Sequence, residues 1–117
     1  MNYEVFPARR HGKAAAVPYV TITKAGCLLL NMAAVELLNH APFVLLAWDR
    51  QAQRIGLRAV GYDRDGFRLQ YTATPCRISA GTFLKAIGVS LPVVSRKCVA
   101  QWNEVEQMLT FSVAAGV

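Results

Sequence analysis

Apolar and polar residues alternate along several short stretches of this chain, and a period of two is the mark of strands with one buried face. Val20-Thr21-Ile22-Thr23-Lys24 is the first, with Val20 and Ile22 turned toward a core. Ala25-Gly26 reads as a turn, and the apolar run 27–30 as the returning strand of a hairpin. Residues 43–48 form an apolar strand, 49–53 a hairpin loop, and 54–60 an alternating strand with Ile55 and Leu57 inward and Arg54 and Arg58 outward. Phe67-Arg68-Leu69-Gln70-Tyr71 predicts a strand with Phe67, Leu69 and Tyr71 inward. Residues 97–102 and 107–113 predict a last pair, with Leu109, Phe111 and Val113 inward.

Two segments carry helical signals instead. Asn31 is placed to cap a helix from Met32 to about Asn39, because its side-chain oxygen accepts an orphan backbone N–H. His40-Ala41-Pro42 ends that helix, since proline cannot continue it. Ser79 is the second candidate cap, opening a helix over 80–87 with Gly88 as its left-handed C-terminal residue. The order strand, strand, helix, strand, strand over about 18–60 is followed over 67–114 by strand, short strand, helix, strand, strand, with Pro75-Cys76-Arg77-Ile78 leading into the second helix, as expected of a duplicated strand-strand-helix-hairpin unit that packs against its copy. The expected fold is a small, β-rich α+β domain over 18–117, preceded by an irregular basic arm over 1–17.

Composition narrows the class. At 117 residues, 54% hydrophobic and 17% charged, the chain fits one domain and is too apolar for intrinsic disorder. Its apolar content predicts a homo-oligomer, a homodimer in the simplest case. The uncharged stretches 25–35 and 37–48 are too short to span a bilayer, and the first residues lack the basic-then-apolar order of a secretory signal. Three widely spaced cysteines, Cys27, Cys76 and Cys98, read as buried hydrophobes in a cytoplasmic protein rather than as a disulfide framework.

Candidate chemistry is sparse. Neither His11 nor His40 has a carboxylate or cysteine at metal-ligand spacing, and no serine sits in a nucleophile elbow. Asp63-Arg64-Asp65-Gly66 is a turn, because the glutamate that closes a calcium loop is missing. No enzyme, catalytic residue, metal or cofactor is expected. Charge is the remaining signal: 13 Lys and Arg against 7 Asp and Glu give +6, a balance that draws polyanions. The candidate nucleic-acid contacts are Arg9, Arg10 and Lys13 in the arm, Lys24 and Arg50 at hairpin tips, and Arg54, Arg58 and Arg68, with Gln70, on the outward side of two strands.

Val20-Thr21-Ile22-Thr23-Lys24-Ala25-Gly26, followed by a short strand, a helix and the hairpin up to Val60, resembles the AbrB-type swapped-hairpin domains. The tandem arrangement is similar to MraZ proteins, which carry two such units. That resemblance implies a bacterial, transcription-regulator-like DNA binder that assembles by strand exchange, with Lys24 matching the basic residues near the family's first turn. The MraZ Asp-x-x-x-Arg signature is absent, for Gln53 stands four residues after Asp49. The chain also resembles a class of uncharacterised bacterial proteins that brings no function with it. Two readings follow: a module binding duplex or single-stranded DNA, and a protein-interaction or assembly domain with no nucleic-acid role.

Overall fold

The computed structural model describes residues 17–72 and 76–113, so the arm at residues 1–16 lies outside the described residues. The elements follow in the order β1 (Tyr19–Ile22), β2 (Cys27–Leu30), α1 (Met32–Leu37), β3 (Phe43–Asp49), β4 (Arg54–Val60), β5 (Phe67–Arg68), β6 (Cys76–Ser79), α2 (Gly81–Ala86), β7 (Arg96–Asn103) and β8 (Met108–Ser112). All the ladders are antiparallel. Their spatial order is β5-β3-β4-β8-β7-β1-β2-β6, and the antiparallel bridge Gln70↔Arg77 joins the two outer strands, so the sheet curls into a nearly closed barrel. Nothing in the local alternation foretold that closure.

The two halves interleave. β1 pairs with β7 as well as β2, and β2 with β6, while β4 pairs with β8. If each strand is replaced by the one four places away in chain order, the same neighbour relations return. The long hairpins also end alike. Asp49 Oδ1 accepts the Ala52 N–H at 3.0 Å and Asn103 Oδ1 the Glu106 N–H at 2.9 Å, and each loop ends in a left-handed glutamine, Gln53 or Gln107.

Period-two alternation holds where the ladders are regular. Val20, Ile22, Leu28, Leu30, Ile55, Leu57, Ile78, Leu109 and Phe111 are all buried in one cluster. Fully burying a side chain of that size contributes about 1.5–3 kcal/mol, so this shared interior outweighs any single surface contact. Ala34 and Val35 of α1 and Leu84 of α2 join the same cluster. Because β2 and β6 run antiparallel, the helices that follow them leave at opposite ends of the barrel.

Asn31 caps α1, and its role exceeds the helix. Its Oδ1 accepts the N–H groups of Ala34 and Tyr19, each at 3.0 Å, and its Nδ2 donates to the Val17 carbonyl at 2.8 Å. One amide therefore ties the start of β1 to the start of α1. The helix is shorter than expected. It stops at Leu37, and Asn39 and His40 take left-handed backbone with φ of 55° and 53°.

Two expectations are corrected. Ser79 is not a cap: its backbone belongs to the β6 ladder opposite Cys27, α2 starts one step later, and its Ala80 cap makes no side-chain bond. The predicted strand 67–71 shrinks to Phe67–Arg68, since the β3 ladder begins at Phe43 and the preceding Pro42 has no N–H to extend it. Leu69 is buried, but Tyr71 is exposed and its hydroxyl donates to the Ala41 carbonyl.

Asn31→Ala is expected to destabilise the protein by about 1–2 kcal/mol in urea unfolding, as loss of a well-bonded cap does, whereas Ser79→Ala should stay within about 0.5 kcal/mol. Equal effects at both positions would contradict the capping roles assigned here.

Candidate nucleic-acid interface

The basic residues expected to bind fall into unlike settings. Arg9, Arg10 and Lys13 lie outside the described residues. Arg54 and Arg58 project from the outer face of β4, whereas Arg68 and Gln70 belong to β5 or follow it, and β3 lies between these strands. Arg54, Arg58 and Arg68 all lie on the outer side of the sheet, with β3 separating Arg68 from the other two. Arg58 Nη2 lies 3.4 Å from Glu106 Oε1 and donates to the Glu106 carbonyl at 3.0 Å. Arg54 sits across the ladder from Asp49, on the same face, and donates to Thr110 Oγ1 at 2.9 Å. Such exposed pairs contribute only about 0–1 kcal/mol to stability. For Arg58 the consequence is electrostatic: a carboxylate 3.4 Å away cancels most of its field beyond roughly a Debye length of 8–10 Å.

This part of the outer wall also holds a shallow cleft of about 240 Å³, lined by Ala47, Asp49, Arg54, Gly56, Glu106 and Met108 among others. It exists because the cross-strand pair Ala47↔Gly56 is small. Its rim mixes both signs of charge, which does not suit a polyanion. Arg50 and Lys24 are exposed at their turns, and the Arg68 guanidinium lies 5.7 Å from the centre of the Phe43 ring.

A different surface is uniformly basic. The sequence has no carboxylate between Glu4 and Glu36, and none between Asp65 and Glu104. β1 and β2 fall in the first gap, and β5, β6, α2 and β7 in the second. The sheet order β7-β1-β2-β6 then sets four carboxylate-free strands side by side. One register row on their outer face reads Arg77, Leu29, Thr21, Lys97. Three inter-strand steps separate its cations, roughly 14 Å along the wall. The ammonium of Lys97 lies 4.1 Å from the centre of the Tyr19 ring, and Arg77 donates to Gln70 Oε1 at 3.0 Å; among the described residues no carboxylate pairs with either.

The end of this surface is built around Gly26. Its φ of +88° is open to glycine and strained for other residues, and a Cβ there would stand 3.0 Å from the Gly81 Cα. The Ala80 N–H donates to the Gly26 carbonyl at 3.1 Å. The β1–β2 turn and the start of α2 thus touch, bringing the elements that carry Lys24 and Lys85 together, with Arg96 and Lys97 opening the adjoining β7. Arg77, Lys85 and Lys97 were not among the expected site residues. They do not alternate along one strand as Arg54 and Arg58 do; the signal in the sequence is the two long gaps between acidic residues.

Among the described residues no group of three His, Cys, Asp or Glu side chains is disposed to hold a metal ion, and no helix is long and apolar enough to cross a membrane. Compared with protein-family models, curated proteins and solved structures, the chain matches none.

The thiols differ. Cys76 and Cys98 are buried, and burial pushes both upward, Cys76 from an ordinary 9.0 to about 11. Cys27 is only partly covered, on the outer side of β2. A thiol reagent at pH 8 should modify Cys27 well before the other two, since reactivity follows thiolate and access. Above pH 9 the unfolded chain gains by ionising Cys76 while the folded one does not, so stability should fall between pH 9 and about 11. Equal labelling rates at all three thiols would contradict this core.

Proposed function

We propose that this chain is a nucleic-acid-binding module whose contact surface is the carboxylate-free wall of β7, β1, β2 and β6 together with the adjoining end of α2. The observation that carries the reading is the partition of charge. Arg54 and Arg58, the first candidates, face Asp49 and Glu106, whereas Lys24, Arg77, Lys85 and Lys97 lie on elements without a single acidic residue. Phosphate backbones are bound through cations that release condensed counterions, and a cation already neutralised by a carboxylate releases few. Arg77 and Lys97 stand roughly 14 Å apart at the backbone, far enough to reach separate phosphates of a duplex. Arg9, Arg10 and Lys13 precede β1 in the sequence and would add to the same charge.

The strand pairings support an internal duplication. Besides the neighbour relations, Trp48-Asp49 with Gln53 is repeated as Trp102-Asn103 with Gln107, and buried Ile55 and Leu57 as buried Leu109 and Phe111. A duplicated strand-strand-helix-hairpin unit is the arrangement of a tandem swapped-hairpin protein, and a transcription-regulator-like role belongs to that reading. In it the two halves of one chain exchange strands with each other, so a second copy is not needed to complete the barrel. The alternative, an assembly domain without nucleic acid, predicts that the carboxylate-free wall is only a solubilising surface.

Four phosphate contacts predict that the logarithm of the duplex affinity falls against the logarithm of salt with a slope of about −3 to −4. Lys24→Gln, Arg77→Gln, Lys85→Gln or Lys97→Gln should each reduce that slope by about one unit. Arg54→Gln and Arg58→Gln should leave it nearly unchanged. Absence of duplex binding at low salt, or losses confined to the Arg54 and Arg58 variants, would overturn the proposal.

A further inference from the structure

We infer that the loop at residues 88–95, between α2 and β7, is an apolar wedge that enters the base stack of duplex DNA; this rests on the nucleic-acid reading above and adds a mode of contact to it. Val93 is 89% exposed, Val94 73% and Leu91 45%, in a loop where Pro92 and Ser95 are the only other residues after Ser90. Single exposed apolar residues are ordinary, but a run of them held in water marks a surface that something covers. The base of the loop is fixed. Val89 packs against the core and its N–H donates to the Leu84 carbonyl at 3.0 Å, and the Gly88 N–H donates to Lys85 at 3.1 Å. A Leu91 methyl lies 3.8 Å from where a Cβ on Gly26 would stand, which places the loop beside the β1–β2 turn. Pro92 fixes its own φ, and the two valines have stiff χ1 angles, so little freedom is lost when the tip is engaged.

Its surroundings identify the occupant. Arg96 and Lys97 follow the loop directly, Lys85 precedes it on α2, and Lys24 is two residues before Gly26. An apolar tip set among cations fits a partner with anionic groups around an apolar interior. Both duplex DNA and an anionic bilayer have that character. Continuity with the Arg77–Lys97 row favours the duplex, where phosphates lie to either side of a base step a wedge side chain has opened. Proteins of this kind offset the unstacking of one step with apolar burial of similar size.

The test uses the full chain and a duplex carrying a fluorescent purine analogue whose emission rises when it unstacks. Binding should raise the emission several-fold. The double variant Val93→Ser with Val94→Ser should keep the salt slope and lose the rise, while Val105→Ser, an exposed valine on the β7–β8 tip, should keep both. Duplex binding with the usual salt slope but no rise, or a rise that survives in the double variant, overturns the wedge and leaves the binding surface standing. No duplex binding at low salt overturns both. Sedimentation with phosphatidylserine-containing vesicles, without duplex binding, would assign the loop to a membrane and sink the inference.

Discussion

Four ladders join the halves of the chain, and two of them, β1 on β7 and β2 on β6, hold this structure together. Each residue pair they join, such as Val20 with Cys98 or Leu30 with Cys76, is far apart in sequence. Neither half can close its own interior. Once the ladders form, Val20, Leu28, Ile78 and Phe111 share one core, and both helices gain something to pack on. A one-residue slip in either ladder would turn every buried side chain outward, so register and core specify each other.

The same ladders make the electrostatic pattern. Carboxylate-free segments that are separate in the sequence become neighbours only because β1 and β2 lie between β7 and β6. On the other side, β3, β4 and β8 gather Asp49, Arg54, Arg58 and the Glu106 turn into a wall where the signs alternate. Net charge describes the solubility of the whole molecule. Its partition between the two walls is what bears on a partner, and it is set by topology.

Much of the fold was legible in local signals. Alternation assigned the inward residues of β1, β4 and β8, Asn31 announced its helix, and Gly88 its left-handed end, with φ of +82°. Barrel closure was not legible, because strand period says which face is buried and nothing about which strands meet. Ser79 misled because a residue that has the chemistry of a cap was already committed to a ladder. Tyr71 misled because alternation continued past the point where its neighbouring strand had ended. The repeated tips, Trp48-Asp49 and Trp102-Asn103, were visible in the letters but are persuasive only when their turns coincide. The basic wall was hidden for a related reason: Arg77, Lys85 and Lys97 are scattered in sequence, and their common feature is what they lack nearby.

Titrating isotopically labelled protein with a short duplex and following its backbone amide resonances locates the contact surface. The resonances that move should cluster in β1, β2, β6, β7, the end of α2 and the turns joining them, while those of Arg54 through Arg58 stay in place. Movement centred on β4 and its hairpin, with β1 and β6 silent, would contradict the proposed surface.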